Sequence, residues 1–223
     1  MIILGAFLTF LLVPVALSQK SKCAPTCSGV TESGTLVPDP SNCLGYYTCV
    51  DVFGDGNFVL SSREVCPDGY FFNTFQTPAR CSLISDAHVD YCTGFCNPCE
   101  IQCSVAGTLR PDPYDCRAYY LCLSGGGHQK FECPGGSDGA YFDFEAETCV
   151  DYNDKCYQFC DKCETYCVKP GNIVDPYNCQ GFYVCDPPSM THFDCPNDGY
   201  FDADTQLCSE VKVNSTCTSI CHE

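Results

Sequence analysis

Tryptophan is absent from this 223-residue chain, methionine occurs twice, and basic side chains are scarce, with 11 Lys and Arg against 28 Asp and Glu. The formal charge of -17 excludes nucleic acid and anionic membrane surfaces as partners, because both demand basic patches. It is compatible with a neutral polymer, a partly cationic one, or a coat that holds calcium loosely, and most simply it keeps the chain soluble. Long apolar runs are absent beyond residue 17. The one such run, Ile2 to Leu17, carries no charge, and the small residues Ala16 and Ser18 suit signal peptidase, so residues 1–18 are expected to be a signal peptide. A membrane anchor is the alternative, but the run is shorter than the ~20 residues a spanning helix needs and contains Pro14. No anchor signal follows Cys221. The mature protein is expected to be secreted, into a compartment where disulfides persist.

Cysteine is what the chain has in excess: 24 residues, above the ~8–10% that marks a disulfide scaffold. They form three octets, at residues 23–96, 99–160 and 163–221. Each opens C-x3-C, continues after a gap of 15, 12 or 11 residues with C-x5-C, and closes C-x3-C. The C-x5-C stretches enclose paired aromatics: Tyr46-Tyr47 between Cys43 and Cys49, Tyr119-Tyr120 between Cys116 and Cys122, and Phe182-Tyr183 between Cys179 and Cys185. An Asp-Pro turn precedes each, at Asp39-Pro40, Asp112-Pro113 and Asp175-Pro176. Proline presets φ there, and the carboxylate can accept bonds from nearby backbone amides. Downstream, Cys66-Pro67, Cys133-Pro134 and Cys195-Pro196 lead into Asp68-Gly69-Tyr70-Phe71-Phe72-Asn73, Asp138-Gly139-Ala140-Tyr141-Phe142-Asp143 and Asp198-Gly199-Tyr200-Phe201-Asp202. Such recurrence marks internal repeats.

The aromatic runs read as strands, and the turn-rich stretches after them (Phe53 to Asn57, Ser124 to Gly127, Pro187 to Ser189) return the chain in a hairpin closing near Cys66, Cys133 or Cys195. The Asp-Gly-aromatic segments suit a second, shorter hairpin. Helix has room for at most a turn, in Glu145 to Thr148 or Ala203 to Leu207. The expected fold is small, disulfide-rich and mostly β. It comprises three tandem modules (residues 19–97, 98–161 and 162–223), each a short antiparallel sheet plus a β-hairpin stapled by about four disulfides, which chains this small usually need. The links Asn97-Pro98 and Asp161-Lys162 are too short for a flexible spacer. They create Cys96-x-x-Cys99 and Cys160-x-x-Cys163, which read as two abutting frameworks rather than as redox or zinc motifs.

The inner six cysteines of each octet, the paired aromatics and the later Cys-Pro with Gly, aromatic and Phe-Asp/Asn together resemble the peritrophin-A, or type 2 chitin-binding, domain of invertebrate extracellular proteins. Eight cysteines allow 105 pairings. The resemblance implies Cys27–Cys49, Cys43–Cys92 and Cys66–Cys81; Cys103–Cys122, Cys116–Cys156 and Cys133–Cys149; and Cys167–Cys185, Cys179–Cys217 and Cys195–Cys208. The outer cysteines depart from the basic six. Elimination pairs Cys23 with Cys96, Cys99 with Cys160 and Cys163 with Cys221, with links between neighbouring modules as the alternative.

The resemblance also implies a ligand: chitin, or another polymer containing N-acetylglucosamine, with other matrix glycoproteins as further partners in an extracellular matrix. Flat sugar faces call for exposed rings with polar neighbours, and tyrosine supplies a ring and a hydroxyl. Alternation along a strand divides the paired aromatics. Tyr47, Tyr120 and Tyr183 share a face with the flanking cysteines in the first copy's pattern and are expected to pack, as are Phe72, Phe142 and Phe201. Tyr46, Tyr119 and Phe182 face away and are candidate contacts, joined on the later hairpins by Tyr70, Phe71, Tyr141 and Tyr200, with Asn73, Asp143 and Asp202 as polar neighbours. With no tryptophan, a single module is expected to bind weakly, and three to bind through avidity.

Catalysis is not expected. Chitin hydrolysis needs paired carboxylates in a cleft, the four histidines (His88, His128, His192 and His222) occupy non-equivalent places without metal spacing, and no cofactor is implied. Two other readings use the same scaffold: a cysteine-rich coat protein of egg envelope, cuticle or gut lining acting through protein contacts, and a defence protein, which the acidic charge disfavours. Asn214-Ser215-Thr216 is a glycosylation sequon.

Overall fold

The structure, a computed structural model, describes residues 23–88, 91–135, 139–210 and 221. The expected signal peptide, the sequon at Asn214, Cys217 and His222 lie outside the described residues.

Each cysteine octet carries one larger sheet and one two-stranded hairpin. In the first octet β1 (Thr35–Asp39), β2 (Asn42–Asp51) and β3 (Phe58–Leu60) form an antiparallel sheet, with β4 (Glu64–Val65) also pairing β2; β5 (Tyr70–Asn73) and β6 (Arg80–Leu83) form the hairpin. The second has β7 (Leu109–Pro111), β8 (Ala118–Cys122) and β9 (His128–Glu132), then β10 (Tyr141–Asp143) and β11 (Thr148–Val150). The third has β12 (Gly171–Val174), β13 (Gly181–Asp186) and β14 (Ser189–Asp194), then β15 (Tyr200–Asp202) and β16 (Leu207–Ser209). The aromatic run is the central strand every time. The mostly-β, disulfide-rich architecture is as expected, with one addition. A short strand precedes each Asp-Pro turn, and it is hard to see in the sequence because Pro38 and Pro111 interrupt two of its copies. Proline is tolerated there because these are edge strands. Residues 145–148 and 203–207 contain no helix; the short 3-10 turns lie instead at Ile84–Asp86 and Pro196–Asp198.

The Asp-Pro turns do what their chemistry suggests. Oδ1 of Asp39, Asp112 and Asp175 accepts the N–H two residues on, from Ser41, Tyr114 and Tyr177, at 2.7, 2.8 and 2.8 Å. A second such turn follows at once, with Asn42, Asp115 and Asn178 accepting from Leu44, Arg117 and Gln180. The two links between octets use the same device: Asn97 accepts from the Cys99 N–H at 2.9 Å, and Asp161 from the Cys163 N–H at 2.8 Å.

Eleven disulfides join described cysteines, four each in the first two octets and three in the third, in the pairings set out above. The outer cysteines of each octet pair with each other. The remaining expected pair, Cys179–Cys217, involves an undescribed residue. Cys49, Cys122 and Cys185, at matching places on the central strands, are among the most deeply buried side chains. The disulfides and hairpin phenylalanines thus make up much of the core, with a cluster of Phe142, Phe144, Tyr157 and Cys133 in the second octet.

Candidate ring platform and the turn aspartates

The short hairpin of each octet lies against one face of its sheet, and aromatic rings make the contact. Tyr46 stacks on Phe72 with centroids 5.1 Å apart, Tyr119 on Phe142 at 4.9 Å, and Phe182 on Phe201 at 5.0 Å, all within 18° of parallel. The first aromatic of each pair therefore does not stand free. Strand alternation placed it opposite the cysteine face, correctly, but the hairpin covers that side.

In the second and third octets the stack continues to a third ring. Phe131 of β9 lies directly across from Tyr119 in register, and Phe193 of β14 across from Phe182. Their centroids lie 5.8 and 5.9 Å from the middle ring. The middle rings are thus covered on two sides, while the outer rings remain 37% and 47% exposed. The expectation that Tyr119 and Phe182 offer a free face is corrected accordingly: Phe131 and Phe193 are the exposed members. In the first octet the residue across from Tyr46 is Glu64. Its Oε2 accepts the Tyr46 hydroxyl at 3.0 Å, and this bond is the first cause holding the phenol's pKa above its ordinary value.

Other expected contacts fare differently. Phe71 is 3% exposed and packs edge-on against Tyr91, and Asp143 is 5% exposed. Both are corrected as contacts, because no sugar reaches a buried side chain. Asp143 instead accepts the N–H groups of Glu145 and Ala146 and shapes the hairpin turn. Asn73 and Asp202 do the same for Phe75 and Asp204 at more accessible positions. Tyr70 is exposed, and Tyr141 and Tyr200 are half-buried; the Arg117 guanidinium sits 5.5 Å from the Tyr141 ring.

The opposite sheet face holds a feature that sequence reading missed. The second carboxylate oxygen of the turn aspartate meets a basic side chain on the returning segment: Asp39 the Arg63 guanidinium, Asp112 the Lys130 ammonium at 2.7 Å, and Asp175 the His192 imidazole at 3.1 Å. The three basic residues sit at one repeat position, three residues before the fifth cysteine of each octet. Burial opposes ionisation of Asp112, but Lys130 and the Tyr114 N–H outweigh it and hold the carboxyl below its ordinary range. The space is made on the central strand by Gly45, Ala118 and Gly181. A Cβ at Gly45 would lie 2.9 Å from Asp39 Oδ2, and one at Gly181 would lie 2.5 Å from His192 Nε2. The second aromatics, expected in the core, are half-buried beside these pairs. Burial first, and then the Asp39 charge, push the Tyr47 phenol up to about 12.

Among the described residues Arg63 differs from its counterparts in having a second carboxylate partner, Glu164 of the third octet, at 2.6 Å. Near this contact Tyr166 accepts the Asp161 N–H at 2.9 Å and donates to the Phe159 carbonyl. A cleft of about 540 Å³ lies among all three octets there, lined in part by Tyr47, Arg63, Phe159, Glu164 and Tyr166. Among the described residues no cluster of three or more His, Cys, Asp or Glu is arranged for a metal, and no helix is long and apolar enough to cross a membrane.

Small antiparallel sheets, each packed through stacked rings on a disulfide-stapled hairpin, define this as a protein of tandem cysteine-framed β modules. A family model for the chitin binding peritrophin-A domain matches residues 99–156 and 163–217, more than half of the chain, which belongs to that family. Residues 23–96 lie outside the matched segments. A similar protein is Peritrophin-48 of Chrysomya bezziana, 26% identical over 207 residues that cover 90% of this chain and 50% of that protein. The chain thus spans about half the length of this curated relative.

Proposed function

We propose that the protein is a secreted, non-catalytic chitin-binding component of an extracellular matrix, and that its three modules, divided near residues 97/98 and 161/162, engage and cross-link chitin. The observation that carries this reading is the ring stack. It recurs at one register position in three sheets, two of which lie in segments that match the chitin-binding family model. Residues 23–96 act as a third, diverged copy, a reading supported by the shared strand order and disulfide pattern. The contact set that geometry favours is Phe131, Phe193 and Tyr46 as rings, with Tyr70, Tyr141, Tyr200, Asn73 and Asp202 on the adjoining hairpins.

No single ring holds a polymer firmly, since one aromatic contact contributes about 0.5–1.5 kcal/mol. Three such sites act together, because after the first contact the others bind intramolecularly, with avidity gains of roughly 10²–10⁴ where geometry matches. The decisive experiment retains the full chain on chitin beads, with cellulose beads as control, and measures sedimentation of chitin nanofibres at increasing protein concentration. Selective retention with fibre bundling is expected. Equal retention on both polymers would reject chitin recognition, and retention without bundling would reject cross-linking.

A further inference from the structure

The residue two positions before the fifth cysteine of each octet is Glu64, Phe131 or Phe193. All three occupy one place, across the strand pair from the ring that stacks on the hairpin phenylalanine. This is the outermost position of the stack, and its chemistry changes between octets. Phe131 and Phe193 extend the platform with a neutral ring. Glu64 ends the platform at Tyr46 and sets an exposed carboxylate at its rim.

Glu64 has no assigned structural task beyond accepting the Tyr46 hydroxyl with one oxygen. Among the described residues it forms no ion pair, and its neighbour Arg63 is committed to Asp39 and Glu164. A solvated carboxylate at the edge of a stacking ring is complementary to an ammonium group attached to a sugar ring. The chitin repeat offers such a group wherever its acetyl group has been removed, because glucosamine is then a protonated amine in mildly acidic solution. A ring face without a carboxylate suits the uncharged N-acetyl sugar.

We infer that the residue at this position sets which sugar each module takes. Phe131 and Phe193 give the second and third modules a platform for N-acetylglucosamine, and Glu64 makes the first module a site for deacetylated, cationic glucosamine. The whole chain would then bind partly deacetylated chitin through both kinds of site. This rests on the proposed chitin-binding function.

The test uses the full chain and two defined probes at mildly acidic pH: a fully N-acetylated chitohexaose and a fully deacetylated glucosamine hexamer, each titrated calorimetrically. Glu64→Gln is expected to weaken the glucosamine hexamer roughly two- to fivefold, the range for an exposed ion pair, and to leave chitohexaose unchanged. The double variant Phe131→Ala, Phe193→Ala is expected to weaken chitohexaose roughly two- to tenfold and to spare the glucosamine hexamer. Asp186→Asn, which removes an exposed carboxylate on β13, controls for the overall negative charge. If Asp186→Asn weakens the glucosamine hexamer as much as Glu64→Gln does, or if Glu64→Gln weakens both sugars alike, the inference is overturned while chitin binding stands. If the unaltered chain binds neither probe yet is retained on chitin beads, the inference is overturned while chitin binding stands; if it is also not retained on the beads, the chitin-binding reading falls, and the inference with it.

Discussion

The turn aspartates carry the chain's most concentrated chemistry, each shaping a turn with one carboxylate oxygen and meeting a guanidinium, an ammonium or an imidazole with the other. Because Asp112 is held below its ordinary range, its stabilising effect is complete above the unfolded pKa of about 3.9 and is lost as pH falls through the lower, folded value. Urea unfolding at a series of pH values should therefore show stability declining below about pH 4, with a shallower decline in Asp112→Asn. The sign reverses for Tyr47. Its raised pKa of about 12 gives stability that is full below the unfolded value of about 10 and is lost as pH rises through 12, so ultraviolet titration should find a late-ionising tyrosine that Tyr47→Phe removes. The space around the pairs is equally specific. Gly181→Ala should displace the His192 ring from Asp175 and cost about 1–3 kcal/mol, read as a lower thermal midpoint together with a changed His192 imidazole resonance. The second octet already holds Ala118 at that place, beside the long, flexible stem of Lys130.

Each sheet and its hairpin form one unit, joined by a ring stack and locked by disulfides. Cys49 on β2 is fully buried and bonds Cys27. A disulfide of this kind stabilises by about 2–4 kcal/mol, chiefly by restricting the unfolded chain, and its loss leaves a small module short of core. Replacing both Cys27 and Cys49 with serine should abolish hydrogen-exchange protection across residues 35–83 while the second and third octets keep theirs. Unchanged protection in the first octet would mean that its ring stack and remaining disulfides suffice. The repeated strand order was largely readable from the sequence, because each element lies between local signals: an Asp-Pro turn, a glycine-rich or proline-rich return, a Cys-Pro. The added edge strands β1, β7 and β12 were not, because an edge strand of three to five residues, interrupted by proline in β1 and β7, has no pattern of its own and is defined by its partner.

Over the whole molecule, one arginine does what its lysine and histidine counterparts do not. Arg63 presents several N–H donors on one planar group and so bridges Asp39 within its own octet to Glu164 in the third, whereas among the described residues Lys130 and His192 each meet one carboxylate. Arg63→Lys should preserve the first octet's internal pair but release Glu164, a change visible as an increased radius of gyration in small-angle scattering. A fixed arrangement of binding sites matters for avidity, since it sets which spacings along a polymer can be met at once. The same variant should therefore weaken retention on chitin fibres more than it weakens binding of a short oligosaccharide.

Read as a sequence, the chain determined its repeat, its cysteine spacing, its turns and its family, because those are written in short motifs that recur along the chain. Alternation along one strand also separated the two faces of each aromatic pair. What covers a face was decided only in three dimensions. The stack Phe131–Tyr119–Phe142 draws its rings from β9, β8 and β10, and no single strand's pattern says which ring ends outermost. A weak signal was present: phenylalanine two residues before the fifth cysteine in two octets, glutamate in the other. Its meaning needs the cross-strand register. The Arg63–Glu164 bridge joins residues 101 positions apart, and local chemistry does not announce such a pairing. Tertiary packing thus moved the candidate contact from the middle ring to the outer one, because a ring stacked on both sides has no face left to offer.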